Sequence, residues 1–369
     1  MLHAVILAGG IGSRLWPESR QMRAKQFLSF DSNRTMLEST VARLERIIPL
    51  GQMWILTTES MSEQIEQLLP IIPNSHILKE PVPRNTAPCI GLAAARIYNE
   101  CPDSTMIILP SDHIIRNENS FCQTIQFAAE LVDENPERLI TLGIKPTFPS
   151  TSYGYIERDK SIISNVTKKW ENLTTAYTVN RFHEKPQHDK AITFIESNRF
   201  AWNAGIFVWK SITIINLIAK YEPEIGTILY QIANKFGSRD EKKFIDELFP
   251  QCKNISIDYA ILERANSIVM LEATFDWDDI GTWQALDRIY AGKHDSKNNL
   301  ALSSKILAID SNGCIVRTDN PEHLFALLGI NDVIIIQSNN ATLIAKKENE
   351  ESVRMIIDEL KKRNWTEYL

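Results

Sequence analysis

The first residues of this chain that could do chemistry follow its first apolar run. Leu7-Ala8-Gly9-Gly10-Ile11-Gly12-Ser13-Arg14-Leu15-Trp16-Pro17 has the composition of a glycine-rich turn leading from a strand into a helix. Main-chain N–H groups in such a turn can close around phosphate oxygens, and Arg14 adds a planar cation that can clamp them in pairs. Two familiar phosphate loops are excluded: the third glycine of G-x-G-x-x-G falls at Leu15, and no Gly-Lys-Ser/Thr follows. Alone, the turn reads equally well as a tight connection. Lys25, in Lys25-Gln26-Phe27, supplies a second cation that the same loop could bring back to a triphosphate.

Carboxylates come next. Asp112, in Leu109-Pro110-Ser111-Asp112-His113, follows the apolar run 106–109, so it is expected at the carboxyl edge of a strand. There it can hold a metal against phosphates, or simply cap a helix. Asp279, in Trp277-Asp278-Asp279-Ile280-Gly281, is the natural second carboxylate, and Mg²⁺ favours one or two carboxylates beside phosphate and water oxygens. Glu184-Lys185-Pro186 offers a cation to an incoming phosphate, or is a solvated surface pair. Asn203, before Ala204-Gly205, presents an amide with little bulk beside it. In Arg84-Asn85-Thr86-Ala87-Pro88, Asn85 or Thr86 could cap the helix that follows. His183 and His188 are five apart with Pro186 between them, so they are not an H-E-x-x-H zinc helix, and His113 is expected to support the Asp112 turn.

These residues need elements to position them. Apolar runs at 4–7, 53–57, 106–109 and 139–142 read as buried strands, and residues 36–47 and 86–98 carry the 3.6-residue period of helices. Alternating strands and helices predict a mostly parallel sheet covered on both faces, whose ligands sit beyond the carboxyl ends of its strands. The more isolated strands at 153–158, 177–182 and 205–209 suggest an inserted mixed-sheet region over that sheet, with helices from 211 to about 264. The polar stretch 292–299 is the best boundary. Beyond it, short β runs at 305–309, 314–317, 324–328, 333–337 and 342–345 precede a charged helix over 349–362. They predict a small β module stacked in short turns, for assembly or stability.

Composition narrows the class. With 44% hydrophobic and 23% charged residues in 369, the chain is globular, with room for one large core and a smaller second domain. Forty Lys+Arg against 46 Asp+Glu, with no basic tract, argue against nucleic acid as a partner. Five scattered cysteines without a C-x-x-C pair fit reduced thiols and a cytoplasmic location. The run 2–8 lacks a basic n-region and is too short for a signal peptide, and no stretch reaches the length of a membrane span.

In combination, L-A-G-G-x-G-x-R-L-W-P followed by S-R and K-Q-F resembles the signature of the sugar-1-phosphate nucleotidylyltransferases. Trp16-Pro17 with Lys25-Gln26-Phe27-Leu28 resembles the mannose-1-phosphate guanylyltransferase branch, although Ala24 stands where that pattern has Pro. The resemblance continues through Glu80-Pro81-Val82-Pro83-Arg84-Asn85-Thr86-Ala87-Pro88, Tyr153-Gly154-Tyr155-Ile156-Glu157 and Phe182-His183-Glu184-Lys185-Pro186. It then runs through Trp202-Asn203-Ala204-Gly205, Ser256-Ile257-Asp258-Tyr259-Ala260 and Trp277 to Trp283. The tail resembles that of short, single-activity members without a fused isomerase domain.

The resemblance implies an α/β fold: a Rossmann-like nucleotidyltransferase domain with a mixed, mostly parallel sheet over residues 1–291, and a β-helix-like assembly domain over 292–369. It implies guanylyl transfer from GTP to mannose 1-phosphate, with Mg²⁺ (or Mn²⁺) on Asp112 and Asp279, and a homodimer. Ala8, Gly9, Gly10, Gly12, Arg14, Lys25, Arg84, Asn85, Thr86, Ser111 and Asp112 would bind the nucleotide. Gly154, Glu157, Glu184, Lys185 and Asn203 would bind the sugar phosphate, and Arg14, Lys25, Asp112, Lys185 and Asp279 would carry catalysis. Other pairs, such as heptose 1-phosphate with GTP or glucose 1-phosphate with UTP, and a non-catalytic nucleotide-sugar sensor, are the alternatives.

Overall fold

The computed structural model describes residues 1–30, 33–302 and 305–369. Two compact units emerge, each assembled from three stretches: Met1–Gly9, Thr40–Ser111 and Ile115–Trp277 in the first, and Gly10–Ser39, Asp112–Ile114 and Asp278–Leu369 in the second.

The first unit is built on a nine-stranded sheet. Its strands are β1 (Leu2–Leu7), β2 (Met53–Thr58), β3 (Ile77–Glu80), β4 (Thr105–Pro110), β5 (Leu139–Ile144), β6 (Tyr155–Ser161), β7 (Ala176–His183), β8 (Phe200–Lys210) and β9 (Ile268–Glu272). Their spatial order is β3-β2-β1-β4-β8-β5-β9-β7-β6. The expected buried strands are there, and β2 and β5 are buried at every position, as strands covered on both faces must be. The parallel pairings join β3, β2, β1 and β4, and again β5 and β9; the pairings of β8 with β4 and β5 are antiparallel.

The three later strands do not lie over the sheet as a separate region; they complete it. β8 wedges between β4 and β5, and β6 and β7 form the far edge. The reason is the sequence of β8: Ala201, Trp202, Ala204 and the whole run Ile206 to Lys210 are buried, so the strand needs cover on both faces and takes a central place. Helix Thr86–Glu100 packs with Ser211–Tyr221 and Pro223–Ala233.

The second unit has a parallel, rung-like β core. Strands β10 (Leu300–Leu302), β12 (Ile315–Thr318) and β14 (Val333–Ser338) pair in parallel, and β15 (Ala341–Lys346) closes antiparallel on β14. A second parallel pair joins β11 (Lys305–Ile309) to β13 (Leu324–Leu328). The closing helix is Val353–Lys362, four residues later than its charge pattern predicts, because Lys347–Ser352 winds as a 3-10 segment. Leu15, Trp16, Leu28 and Phe30 share one apolar core with Trp283, Ile315, Ile334 and Leu360. Trp16 Nε1 donates to the Tyr368 carbonyl (2.8 Å), and Arg317 grips the buried Glu18 carboxylate at 2.6 and 3.0 Å. The glycine-rich turn is therefore underpinned by the C-terminal β module.

Candidate functional site

Gly10, Gly12, Arg14, Lys25, Asp112 and Asp279 fall in the second unit. Gly12 has φ 73°, and a Cβ there would stand 2.4 Å from Lys25 Cβ, so only glycine lets the turn close over the lysine. Ser19 Oγ donates to the Gly12 carbonyl (2.7 Å) and the Lys25 amide to the Ile11 carbonyl (3.0 Å), stitching the turn to the lysine segment. Ala24 is buried at φ −64°, the angle a proline ring would impose.

Lys25 is only 6% exposed. Its Nζ donates to Asp112 Oδ2 at 2.7 Å and to the Asp279 main-chain carbonyl. Burial alone would raise the Asp112 pKa, but the Lys25 ammonium, with help from His113, overrides it and holds the carboxyl below its usual range. Asp112 is a carboxylate at neutral pH. Asp279 Oδ1 accepts from the Gly281 amide (3.2 Å), and an Arg14 guanidinium nitrogen lies 3.6 Å from where a Gly281 Cβ would stand. Between them Ile280, buried and β-branched, is forced to φ 42°. Left-handed backbone costs such a residue about 1–2 kcal/mol, and strain of this kind collects at functional sites. Asp278 faces a different fate: Arg288 holds both its oxygens (2.8 and 3.2 Å).

The remaining candidates lie in the first unit. At the end of β1 the Ala8 amide donates to the Leu56 carbonyl and its carbonyl accepts from the Thr57 hydroxyl, and a Cβ on Gly9 or Gly10 would meet nothing within 4 Å, leaving that backbone open to a ligand. Ser111 is buried and anchored through its amide to the Leu7 carbonyl (3.0 Å). Asn85 caps helix Thr86–Glu100 from φ 66°, its side chain accepting from the Thr86 amide. The Thr86 hydroxyl accepts from the Ile257 amide (2.8 Å), and Arg84 Nη2 donates to the Pro250 carbonyl.

Gly154, Glu184, Lys185 and Asn203 come together. A Cβ on Gly154 would stand 2.7 Å from Glu184 Oε2, and the Asn203 amide N–H donates to the Gly154 carbonyl (2.9 Å). Lys185, at φ 44°, pairs its Nζ with Glu184 Oε1 (2.7 Å) and remains 63% exposed. Glu157 is turned to other partners, Asn180 (2.8 Å) and Arg199 (3.4 Å). One residue of this cluster was not singled out from the sequence: Asp258, whose Oδ1 accepts from Asn203 Nδ2 at 2.9 Å. A lone Asp in Ser-Ile-Asp-Tyr carries no spacing signal, and only the fold brings it to Asn203, 55 residues away. The half-buried Tyr153 packs ring to ring on Trp202 at 4.9 Å, and Trp202 and Trp209 are both buried in the core. No group of three or more His, Cys, Asp or Glu among the described residues is placed to hold a metal.

This architecture is shared with known proteins. Residues 3–296 match the nucleotidyl transferase family model, and residues 304–360 match the MannoseP isomerase/GMP-like beta-helix domain; the fold and the charged turn thus define a nucleotidyl transferase with an appended β-helix. The whole chain is 34% identical over 372 residues to a mannose-1-phosphate guanylyltransferase of Escherichia coli, covering 76% of that protein, and 33% identical to one of Klebsiella pneumoniae with the same coverage. A crystal structure titled mannose-1-phosphate geranyltransferase, from Thermus thermophilus, superposes with TM-score 0.84 at 27% identity, over 98% of this chain and 99% of that one. The chain belongs to the mannose-1-phosphate guanylyltransferase family.

Proposed function

We propose that this enzyme transfers the guanylyl group of GTP to α-D-mannose 1-phosphate, giving GDP-mannose and pyrophosphate. The observation that carries the reading is the convergence of Lys25, Asp112 and Asp279, with Arg14 beside the Asp279 turn. The sugar phosphate oxygen attacks the α-phosphorus in line and pyrophosphate leaves, so the protein must position reactants and neutralise charge rather than supply a nucleophile. In this reading the open Gly9-Gly10 backbone and Arg14 receive the β- and γ-phosphates, and Lys25 faces the α-phosphate. The Arg84–Thr86 helix start takes base and ribose. Lys185, exposed enough to leave Glu184, receives the incoming phosphate, while Glu184, Asn203 and Gly154 meet sugar hydroxyls.

Nucleotidyl transferases of this family generally use a divalent metal, and the residues present suit Mg²⁺, or Mn²⁺ in its place. Asp112 is ionised, and Lys25 already bridges it to the Asp279 turn as a cation. Asp112 and Asp279 would supply one or two carboxylates to an ion that keeps phosphate and water oxygens. Bound there, the metal supplies charge to the phosphates.

Residues 1–291 form the catalytic domain in this reading, and 292–369 an assembly domain that makes a homodimer. Its support is an exposed apolar face on β11 and β13, where Leu307, Ile309, Leu324 and Leu328 are 50–73% exposed. The cytoplasmic assignment rests on five unpaired cysteines. No helix among the described residues is long and apolar enough to cross a membrane.

The test is pyrophosphate release from four NTPs crossed with mannose 1-phosphate and glucose 1-phosphate, with Mg²⁺ and with EDTA. Release confined to GTP, mannose 1-phosphate and metal is expected. A preference for UTP or glucose 1-phosphate removes the guanylyl or mannosyl assignment, and silence throughout removes the catalytic one.

A further inference from the structure

Asn203 is the amide assigned above to the sugar, yet most of its hydrogen-bonding capacity is spent inside the protein. Its Oδ1 accepts from the Thr141 hydroxyl (3.2 Å) and from the Gly205 amide (3.1 Å), and one Nδ2 hydrogen goes to Asp258 Oδ1 at 2.9 Å. A primary amide has two donors and two acceptor sites, so a single N–H is left. The neighbouring Glu184 carboxylate, packed on Gly154, only accepts. One N–H beside one carboxylate is the complement of a hydroxyl, which accepts and donates at once.

What holds that amide in place is unusual. Asp258 opens a π-helical turn, Asp258–Leu262, a wide geometry that is rare and concentrates at functional sites. The turn is pinned at its start: the Ile257 amide donates to the Thr86 hydroxyl (2.8 Å), and the Ala87 amide to the Ile255 carbonyl (3.1 Å). Burial, and then the Glu184 charge, lift the Asp258 carboxyl to about 6, which Asn203 and Lys185 only partly offset.

Resting on the mannosyl reading, we propose that Asp258 is the positioning residue of the sugar site, orienting the Asn203 amide so that its last N–H and the Glu184 carboxylate together recognise one hexose hydroxyl. Asp258 acts through Asn203 and leaves the nucleotide segment alone, because the Ile257–Thr86 bond is a main-chain amide that a change of side chain at 258 does not remove.

The experiment is titration of full-length wild type, Asp258→Ala and Asp258→Asn with GDP-mannose and with GDP, together with KM values for both substrates. Asp258→Ala should weaken GDP-mannose binding and raise KM for mannose 1-phosphate tenfold or more, with GDP affinity and KM for GTP within about twofold, as loss of one charge-assisted hydrogen bond predicts. Asp258→Asn, whose oxygen can still accept the Asn203 hydrogen, should recover most of that loss. Equal losses toward GDP and GDP-mannose, or Asp258→Asn no better than Asp258→Ala, overturn the proposal. Wild type that binds GDP but not GDP-mannose removes the mannosyl reading itself, and with it this proposal, before any variant is examined.

Discussion

Asp278 and Asp279 are adjacent carboxylates with different partners. Arg288 consumes both oxygens of Asp278, whereas Asp279 sits in the strained turn that also carries the acceptor for Lys25. On the proposed metal-holding role of its carboxylate, Asp279→Asn should lower kcat by about 100-fold or more, while the main-chain carbonyl that meets Lys25 stays in place. Asp278→Asn should lower the melting temperature while kcat stays within a few-fold, and steady-state kinetics with a melting curve on each variant distinguish the two. Reversed effects would exchange the assignments. At this scale the sequence offered candidates where a motif fixed the order of groups: Gly12 in a glycine-rich turn, Lys25 as a second cation downstream of it, Asp112 after a strand and Asp279 in a tight turn. It said nothing of Lys25 being locked on Asp112, or of Asp258 holding Asn203, since both depend on residues that are neighbours only in space.

Among the elements, periodicity located the strands of the parallel half well, because burial on both faces leaves continuous apolar runs. It misplaced β8, whose central position follows from pairing with β4 and β5 rather than from anything local. It also passed over β3, four residues ending in Glu80. That carboxyl is 7% exposed, with no hydrogen-bond partner for Oε1, and burial lifts its pKa from 4.5 to about 7 even though a hydrogen bond with Cys89 pulls the other way. The folded state thus keeps a proton that the unfolded chain releases, so this group does not destabilise below pH 4.5 and costs increasing stability as pH rises toward 7. Glu80→Gln removes the titration. Its stability relative to wild type should climb between about pH 5 and 7.5 by on the order of 3 kcal/mol, read by urea melts across that range. A pH-independent difference would show that Glu80 is ionised in the fold.

For the molecule as a whole, the β11–β13 pair turns Phe325 and Leu327 inward and Leu307, Ile309, Leu324 and Leu328 outward, an alternation expected of a strand covered on one face. If this outer face joins two copies, Leu307→Asp with Leu328→Asp should convert a dimer to a monomer in sedimentation equilibrium without changing the melting of the β core. An unchanged mass would move the interface elsewhere. The sequence draws its boundary at the polar stretch 292–299, whereas the compact unit that holds this module also takes in residues 10–39, 112–114 and the chain from Asp278 on, for nothing in a linear pattern tells which apolar side chains share a core.

That union has a consequence for how the protein is born. Lys25 and Asp279 meet across 254 residues, and a ribosome adding about 5–20 residues per second takes roughly 10–50 s to make the second after the first. Until then Leu15, Trp16 and Leu28 emerge without Trp283, Ile315 or Ile334 to cover them. Growing chains therefore carry these apolar side chains bare until residues beyond 279 emerge, and exposed apolar surface of that kind is what chaperones hold.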